Sequence, residues 1–386
     1  MNTPIGSLDP AVRDVHIWGG GISGLLMGHF LQARGYRVHL YEKSDRLGGK
    51  LHSHRTPDGV VEEAANALYA TPETETWLAE LGLKVLPARP KLKRRLWDGR
   101  PRSPLSLSLL AKLPGLLKPS PAVTDDVMVA DFFRPWLGTQ VEGLLTPALQ
   151  GVYGCGAEEL AVTSIWPNLR PGSYLQVLRQ LKGPRARSVS FPHGMSEWVA
   201  ALARGLDVHL SCSEPFVLRP NTVICTDAHS AAGLLEGAWP SGARALAQVG
   251  YLPLSSATVA APTPPTGKDT FGFLFPRSAR VEALGVLFQR EIFPGRAGHT
   301  FILPGTDQVE ERVERDQQRL GWSNLPVRGY SWDRALPRYD AARARAVRAL
   351  HGDATRPRGL VVFGNYVSGI SLRSMAEAAK DFAARS

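Results

Sequence analysis

The sequence predicts an α/β protein with a Rossmann-like dinucleotide-binding domain, a mixed-sheet second domain and a small helical subdomain between them. Three observations carry this. Residues 15–42 read as strand, glycine turn, helix, strand and acidic residue. Residues 250–296 hold several strand-like runs punctuated by Gly and Pro, and residues 103–119 alternate leucines with serines, lysines and prolines. At 386 residues the chain exceeds one ordinary core and suits two or three packed units.

Each N-terminal element has a physical reason. Residues 15–18 (VHIW) are a short apolar run suited to a buried parallel strand. Gly19, Gly21 and Gly24 follow at G-x-G-x-x-G spacing. The first makes the tight turn, the second lets a pyrophosphate approach the backbone with no Cβ in the way, and the third lets the helix pack close to the sheet. The helix, over residues 22–34, opens with Ile22 and Ser23, whose end of the helix favours negative charge. Residues 37–41 return as the second strand. Glu42 at its end accepts hydrogen bonds from ribose hydroxyls and disfavours a 2′-phosphate. Ser23 sits in this turn and not in a G-x-S-x-G context, which argues against a serine hydrolase.

Beyond the motif, residues 59–83 look like a loop entering a helix near Pro72, and residues 89–102 are a basic run centred on Leu96 and Trp97. Residues 103–119 are too short and interrupted to span a bilayer. Two readings stand side by side. The segment lies on a membrane surface, with leucines such as Leu109 and Leu110 inserted and lysines on acidic headgroups, or it packs as a partly buried helix-loop. Residues 127–145 have helical periodicity and 150–156 form a glycine-rich break. Residues 191–206 read as turn then helix, 222–226 as a short buried strand and 309–320 as a charged amphipathic helix. Residues 359–363 are an apolar strand ending at Gly364 and Asn365. Gly369, Ile370 and Ser371 then open a closing helix at 374–384, a second helix N-terminus able to face an anionic group; an ordinary turn before a terminal helix is equally consistent with these residues alone.

Bulk properties exclude several classes. The composition, 44% hydrophobic and 21% charged, is that of a globular protein, and no stretch approaches about 18 consecutive apolar residues. Residues 1–10 lack the basic and apolar regions of a secretory signal. Cys155, Cys212 and Cys225 are odd in number and share no metal-ligand spacing, which fits a reducing cytoplasm. The histidines show no H-E-x-x-H or paired spacing, so no metal is expected. The net charge of +10 favours anionic company, either a carboxylated substrate or acidic lipid, although scattered arginines read equally as a solvated surface. No helix-turn-helix, zinc finger or aromatic-basic platform appears, so no nucleic-acid partner is expected.

After Glu42 and Lys43, Arg46, Gly48, Gly49 and Lys50 complete an E-x-x-x-R-x-G-G-K run, a second glycine turn that a nicotinamide dehydrogenase does not need. This run resembles the FAD-binding motif of the FAD-dependent amine oxidase superfamily, and of the protoporphyrinogen oxidase family within it. Further stretches are similar to that family in the same order: residues 150–167 (QGVYGCGAEELAVTSIWP), 190–198 (SFPHGMSEW), 270–277 (TFGFLFPR), 285–296 (GVLFQREIFPGR), 332–339 (WDRALPRY) and 364–371 (GNYVSGIS). Departures are Ala64 and Ala65 where the family often has glycine and proline, a compressed region at 206–228, and Asn365 in place of the acid common among amine oxidases.

The resemblance implies an FAD-binding domain in three parts (1–90, 185–240 and 346–386), a helical, substrate-side subdomain at 91–184 and a substrate domain at 241–345. It implies cofactor contacts from Gly19, Gly21, Ile22, Ser23, Gly24, Glu42, Lys43, Arg46, Gly48, Gly49 and Lys50, and an adenine contact from the backbone near Val217. On the flavin side it implies Trp332, Gly364, Asn365, Gly369, Ile370 and Ser371; Trp332 and Tyr339 either wall the flavin site or are ordinary buried core aromatics. For substrate it implies Asn66 and one cation of the basic run, where Lys93, Arg94 and Arg95 compete and Arg95 is taken. The implied reaction is stepwise oxidation of protoporphyrinogen or coproporphyrinogen in haem biosynthesis. Hydride passes to flavin N5, a base or solvent takes the proton, and oxygen or another acceptor reoxidises the flavin. The propionates of such a tetrapyrrole are anionic, for which arginine is the best bidentate partner. No residue stands out as the catalytic base. The expected setting is cytoplasmic, peripheral on the inner membrane face. Two further readings stay open: a flavin-binding relative that carries porphyrin without turnover, and an amine- or carotenoid-type oxidoreductase.

Overall fold

The strand predicted at residues 15–18 lies within a six-stranded sheet of the computed structural model, which describes residues 3–104, 107–323 and 325–386. The order is Ile5–Gly6, Leu360–Val362, Thr222–Ile224, Asp14–Trp18, Arg37–Tyr41 and Asp207–His209. Only the outer pair with Ile5–Gly6 is antiparallel. Parallel strands need cover on both faces, and alternate side chains supply it. Val15, Ile17, Val223 and Val361 enter the core under helices Ile22–Gln32 and Leu372–Arg385. Ile224, Leu360 and Val362 enter the opposite core, under Ala228–Leu235, Pro240–Ala247 and Ala341–Gly352. Because the central strands run in parallel, their carboxyl ends deliver Gly19, Glu42, Thr226, Asp227 and Gly364 to one rim, where ligands of such sheets bind.

A seven-stranded mixed sheet forms the second domain, in the order Val327–Pro337, Tyr251–Val259, His299–Pro304, Gly285–Leu287, Thr270–Leu274, Lys93–Trp97 and Pro101–Arg102. Thr270–Leu274 and Lys93–Trp97 are its parallel pair. One face packs on helix Val309–Arg319 through Val309 and Val313. The other carries Leu252, Leu254 and Ala335 against a helical unit that includes Val129–Leu137, Thr146–Tyr153 and Tyr174–Leu181. Among the described residues no helix is long and apolar enough to cross a membrane.

The structure departs from the sequence reading in several places. Lys93–Trp97 joins the mixed sheet and not the helical unit. The glycine-rich break at 150–156 is helical as far as Tyr153, and Gly154 ends that helix in a left-handed turn. Residues 59–83 contain strands Gly59–Glu62 and Leu68–Ala70 before helix Pro72–Glu80. Strand Val327–Pro337 is long but left no apolar run, because it is the sheet's edge and most of its side chains are only partly covered. The boundary at 240/241 meets the first turn of Pro240–Ala247, which packs with Ala228–Leu235, and that at 345/346 falls inside Ala341–Gly352. Residues 105–106 of the 103–119 segment lie outside the described residues. Leu109 is partly buried against the helical core, whereas Leu110, Leu113 and Leu117 are exposed, the last at 75%.

Candidate cofactor and substrate site

The two glycine turns fold onto each other. Gly19 adopts φ +108° where the first strand ends. A Cβ on Gly24 would fall on the Gly19 carbonyl, so only glycine allows the helix this approach. Gly48 N–H donates to Gly20 O at 2.8 Å, Gly21 and Gly48 form a parallel bridge, and Gly49, at φ +59°, would place a Cβ 3.3 Å from the Gly21 Cα. Gly21 itself is different: a Cβ there meets nothing within 4 Å. The helix behind it has no side-chain cap, so the N–H groups of Ile22 and Ser23 face this open space uncompensated.

Glu42 is held at the strand end by its own loop. Oε2 accepts from Gly20 N at 2.7 Å, and Oε1 accepts from Ser44 N at 2.8 Å and Ser44 Oγ at 2.7 Å. Two oxygens with four lone-pair sites retain acceptor capacity for a ribose hydroxyl. Lys43 is exposed, and Arg46 pairs with Glu63 at 3.6 Å. Val217 follows Phe216, whose ring meets Trp18 edge-on at 5.2 Å just before Gly19. It is 55% exposed, while the shortened segment before it brings Cys212 N–H to Glu42 O at 2.9 Å. Lys50 has no hydrogen-bond partner among the described residues, and burial lowers its pKa against the opposing pull of Asp227.

The C-terminal segment reaches the same rim. After Gly364, residues Asn365–Ser368 form a single turn, and Ser371 caps the long helix Leu372–Arg385 by accepting from Ser374 N at 3.3 Å. Asn365 O accepts from the Tyr339 hydroxyl at 2.7 Å, and Ile370 packs against the helical core, as does the partly buried Trp332. The buried Arg343 guanidinium lies 4.3 Å from the Tyr339 ring and donates to Ser164 O at 3.0 Å and Ser164 Oγ at 2.9 Å, with no ion pair among the described residues. Burial lowers its pKa and raises that of Tyr339.

On the substrate side, Asn66 is buried, its carbonyl accepts from Ser190 Oγ at 3.0 Å, and its Oδ1 has no partner. Arg94 and Arg95 part company on adjoining positions of one strand. Arg95 pairs in register with Phe273, a core residue of the sheet. Arg94 lies over the rings of Tyr69 and Phe271, at 5.8 and 5.3 Å, and hydrogen-bonds the Tyr69 hydroxyl across the seam between the domains. Glu62 and Arg296 pair at 3.1 Å with both side chains 1% exposed. Burial raises the Glu62 pKa and lowers that of Arg296, while their mutual attraction opposes both shifts. A cavity of about 280 Å³ lined by Arg219, Asn221 and Arg358 lies at the amino ends of the strands, on the far rim from these groups.

Residues 17–81 match the family described as NAD(P)-binding Rossmann-like domain. Along nearly its whole length the chain is similar to protoporphyrinogen oxidase 1 of Spinacia oleracea chloroplasts, at 27% identity over 97% of this chain and 84% of that one. The similarity to protoporphyrinogen oxidases therefore runs along nearly the whole chain, at about a quarter of its positions. Coproporphyrinogen III oxidase of Staphylococcus aureus is 27% identical over 49% of this chain and 50% of its own. Among solved structures, one from Exiguobacterium assigned as a protoporphyrinogen oxidase has TM-score 0.77 at 17% identity, covering 98% of this chain and 99% of that one. Cyclohexylamine oxidase from Brevibacterium oxydans, with TM-score 0.69 at 16% identity over 97% and 98%, shares the fold.

The chain is an oxidoreductase. Three residues at its rim were not singled out from sequence. Asp227 caps helix Ala228–Leu235 by accepting from His229 N and Ser230 N at 3.1 Å, and pairs with Arg334 of the mixed sheet at 2.6 Å, so it ties the two domains together. An acid directly before a helix was its sequence signal. Arg334 and Arg343 left none, since an arginine among many shows its burial and partners only in the fold.

Proposed function

We propose that the chain is an FAD-dependent oxidase of a carboxylated tetrapyrrole, of the protoporphyrinogen or coproporphyrinogen kind its relatives are named for, acting in haem biosynthesis. The observation that carries this is the open space at Gly21, walled by a second glycine turn and faced by an uncapped helix end, in a chain similar to these oxidases over nearly its whole length. FAD, when bound, supplies the acceptor for a hydride from the substrate carbon.

The chain's own residues then have distinct tasks. Gly19, Gly21, Ile22, Ser23, Gly24, Gly48, Gly49 and Lys50 hold the diphosphate, with the Lys50 ammonium as an unpaired cation beside it. Glu42 orients the ribose. Asn365 and Ser371, on the carboxyl-end rim, place the flavin end. Arg94, exposed at the seam and stacked on two aromatic rings, is better placed than Arg95 for a propionate. Asn66, with an unpartnered Oδ1, orients substrate. The exposed leucines 110, 113 and 117, with Lys112 and Lys118 among them, suit peripheral contact with an anionic membrane.

The test is anaerobic mixing of flavin-loaded protein with a porphyrinogen, followed by admission of oxygen. Bleaching of the visible flavin band and its return with oxygen are expected. An unchanged flavin spectrum with porphyrin tightly bound would replace turnover by a carrier role, and bleaching by amines but not porphyrinogens would move the substrate to the amine oxidase class.

A further inference from the structure

One hairpin brings two imidazoles and a carboxylate to a single point beside the second glycine turn. Strands Ser53–Thr56 and Gly59–Glu62 pair antiparallel, with Ser53 opposite Glu62. His52 and His54, two apart, share a face, and Glu63 stands across from His52, its N–H donating to His52 O at 2.9 Å. His52 Nδ1 and His54 Nε2 therefore lie 2.8 and 2.7 Å from the same atom, Glu63 Oε1. His52 and His54, two apart, are a paired spacing, so the expectation that the histidines carry none is corrected here.

The arrangement is held from several sides. The two imidazoles meet edge to face with centroids 4.4 Å apart, and His54 stacks on Tyr330 at 5.6 Å and 9°. Arg328 in turn lies over the Tyr330 ring at 5.5 Å. Glu63 Oε2 faces Arg46, and the Glu63 carbonyl accepts from Ser256 Oγ of the mixed sheet. The side chains of His52, His54 and Glu63 are 33%, 25% and 12% exposed, reachable by an ion yet shielded from bulk solvent.

We propose that His52, His54 and Glu63 form a binding site for a divalent transition-metal ion of the zinc class, with the remaining position open to water or an external ligand. Two histidines from one arm of the hairpin, His52 just before its strand and His54 within it, and Glu63 just after the paired strand give the three-ligand N/O set such ions accept. The three ligand atoms already lie within 4.8 Å of one another. Metal–ligand bonds of about 2.0–2.2 Å require neighbouring ligand atoms roughly 3.3 Å apart, so binding needs only a small spreading of the present hydrogen-bonded cluster. Mixed imidazole and carboxylate donors select zinc, cobalt, nickel or copper over magnesium or calcium. The other such triad, His39, Asp207 and His209, is an internal contrast. There His39 spends both ring nitrogens on carboxylates, Nδ1 on Asp207 and Nε2 on Asp14, and its partners are solvent-exposed. A bound ion would clip the hairpin that joins the second glycine turn to the mixed sheet.

The experiment uses the tag-free 386-residue chain, stripped with a chelator, and titrates it with Zn²⁺ by calorimetry and with Co²⁺ by visible absorption. One equivalent should bind, with the intense d–d bands of a four- or five-coordinate cobalt centre. His54→Gln and Glu63→Gln should each weaken binding at least about 100-fold, more than the loss of a mere supporting group. Their melting curves in chelator should match the parent chain, and His54→Cys, which restores a ligand, should recover the cobalt bands in a sulfur-shifted form. His209→Gln should leave binding unchanged. Absence of stoichiometric binding, or binding lost with His209→Gln but kept in His54→Gln, overturns the assignment.

Discussion

Gly21→Ala separates cofactor binding from folding, and the geometry sets the size of both effects. Gly21 lies at φ −69°, ψ 178°, a conformation any L-residue adopts, and an added Cβ meets nothing within 4 Å. Replacing glycine at such a position stiffens the unfolded chain and stabilises by about 0.4–1 kcal/mol, while alanine is a poorer helix N-cap by a few tenths to about 1 kcal/mol. These terms nearly cancel, so the melting temperature of the cofactor-free protein should barely move. The space the methyl fills is the one assigned to the diphosphate. Losing one charge-assisted hydrogen bond there costs about 1.5–3 kcal/mol, which weakens FAD binding roughly 10- to 150-fold. Gly24→Ala is the contrast: its Cβ would sit 1.9 Å from the Gly19 carbonyl oxygen, so the helix must shift and the fold itself suffers, by about 1–3 kcal/mol or more. Fluorescence titration of deflavinated protein with FAD, beside thermal melts, reads both quantities. A Gly21→Ala protein that binds FAD as tightly as the parent would refute the diphosphate assignment.

Three further outcomes follow from buried or exposed groups. His299 is buried among Phe288, Phe301 and Trp322 with neither ring nitrogen partnered, and burial pushes its pKa down from 6.5 to about 4. The unfolded chain takes up its proton first as pH falls, so the contribution is complete above about pH 6.5 and is lost towards pH 4. The wild type should lose about 2 kcal/mol more than His299→Leu between pH 7.5 and 5 by urea unfolding, and equal losses would contradict this. Glu62→Gln strands the buried Arg296 guanidinium and should cost about 3–5 kcal/mol, whereas Glu62→Leu with Arg296→Met should recover most of it in the same assay. Leu113→Glu with Leu117→Glu should reduce flotation with anionic vesicles by at least tenfold, since each inserted leucine is worth about 1.5–3 kcal/mol, and unchanged flotation removes the membrane surface.

Much of the nucleotide domain was legible because its determinants are local. The turn Gly19–Gly24, the strand ending at Glu42 and the helix after Ser371 depend on residues within a few positions of one another, and the structure shows strands Asp14–Trp18 and Arg37–Tyr41 and helix Ile22–Gln32 close to where the pattern puts them. The substrate side was not legible in the same way. Arg94 and Arg95 are alike as residues, and only the register of their strand against Thr270–Leu274, and the arrival of Tyr69 from the other domain, separates them. Val217 was chosen by order along a shortened segment, and only the fold shows that this segment returns to the rim, through Cys212 N–H on Glu42 O and Phe216 on Trp18.

The amino-acid order alone determined that a glycine-rich strand–turn–helix opens the chain and that an acid and a second glycine turn follow it, because φ, the missing Cβ and the helix dipole belong to the local backbone. The tertiary structure decided which side chains share a point: Asp227 with Arg334, Glu62 with Arg296, and His52 and His54 with Glu63. Those pairings hang on cross-strand register and on how two domains pack, and burial, which sets their energies, exists only once distant segments have closed over them.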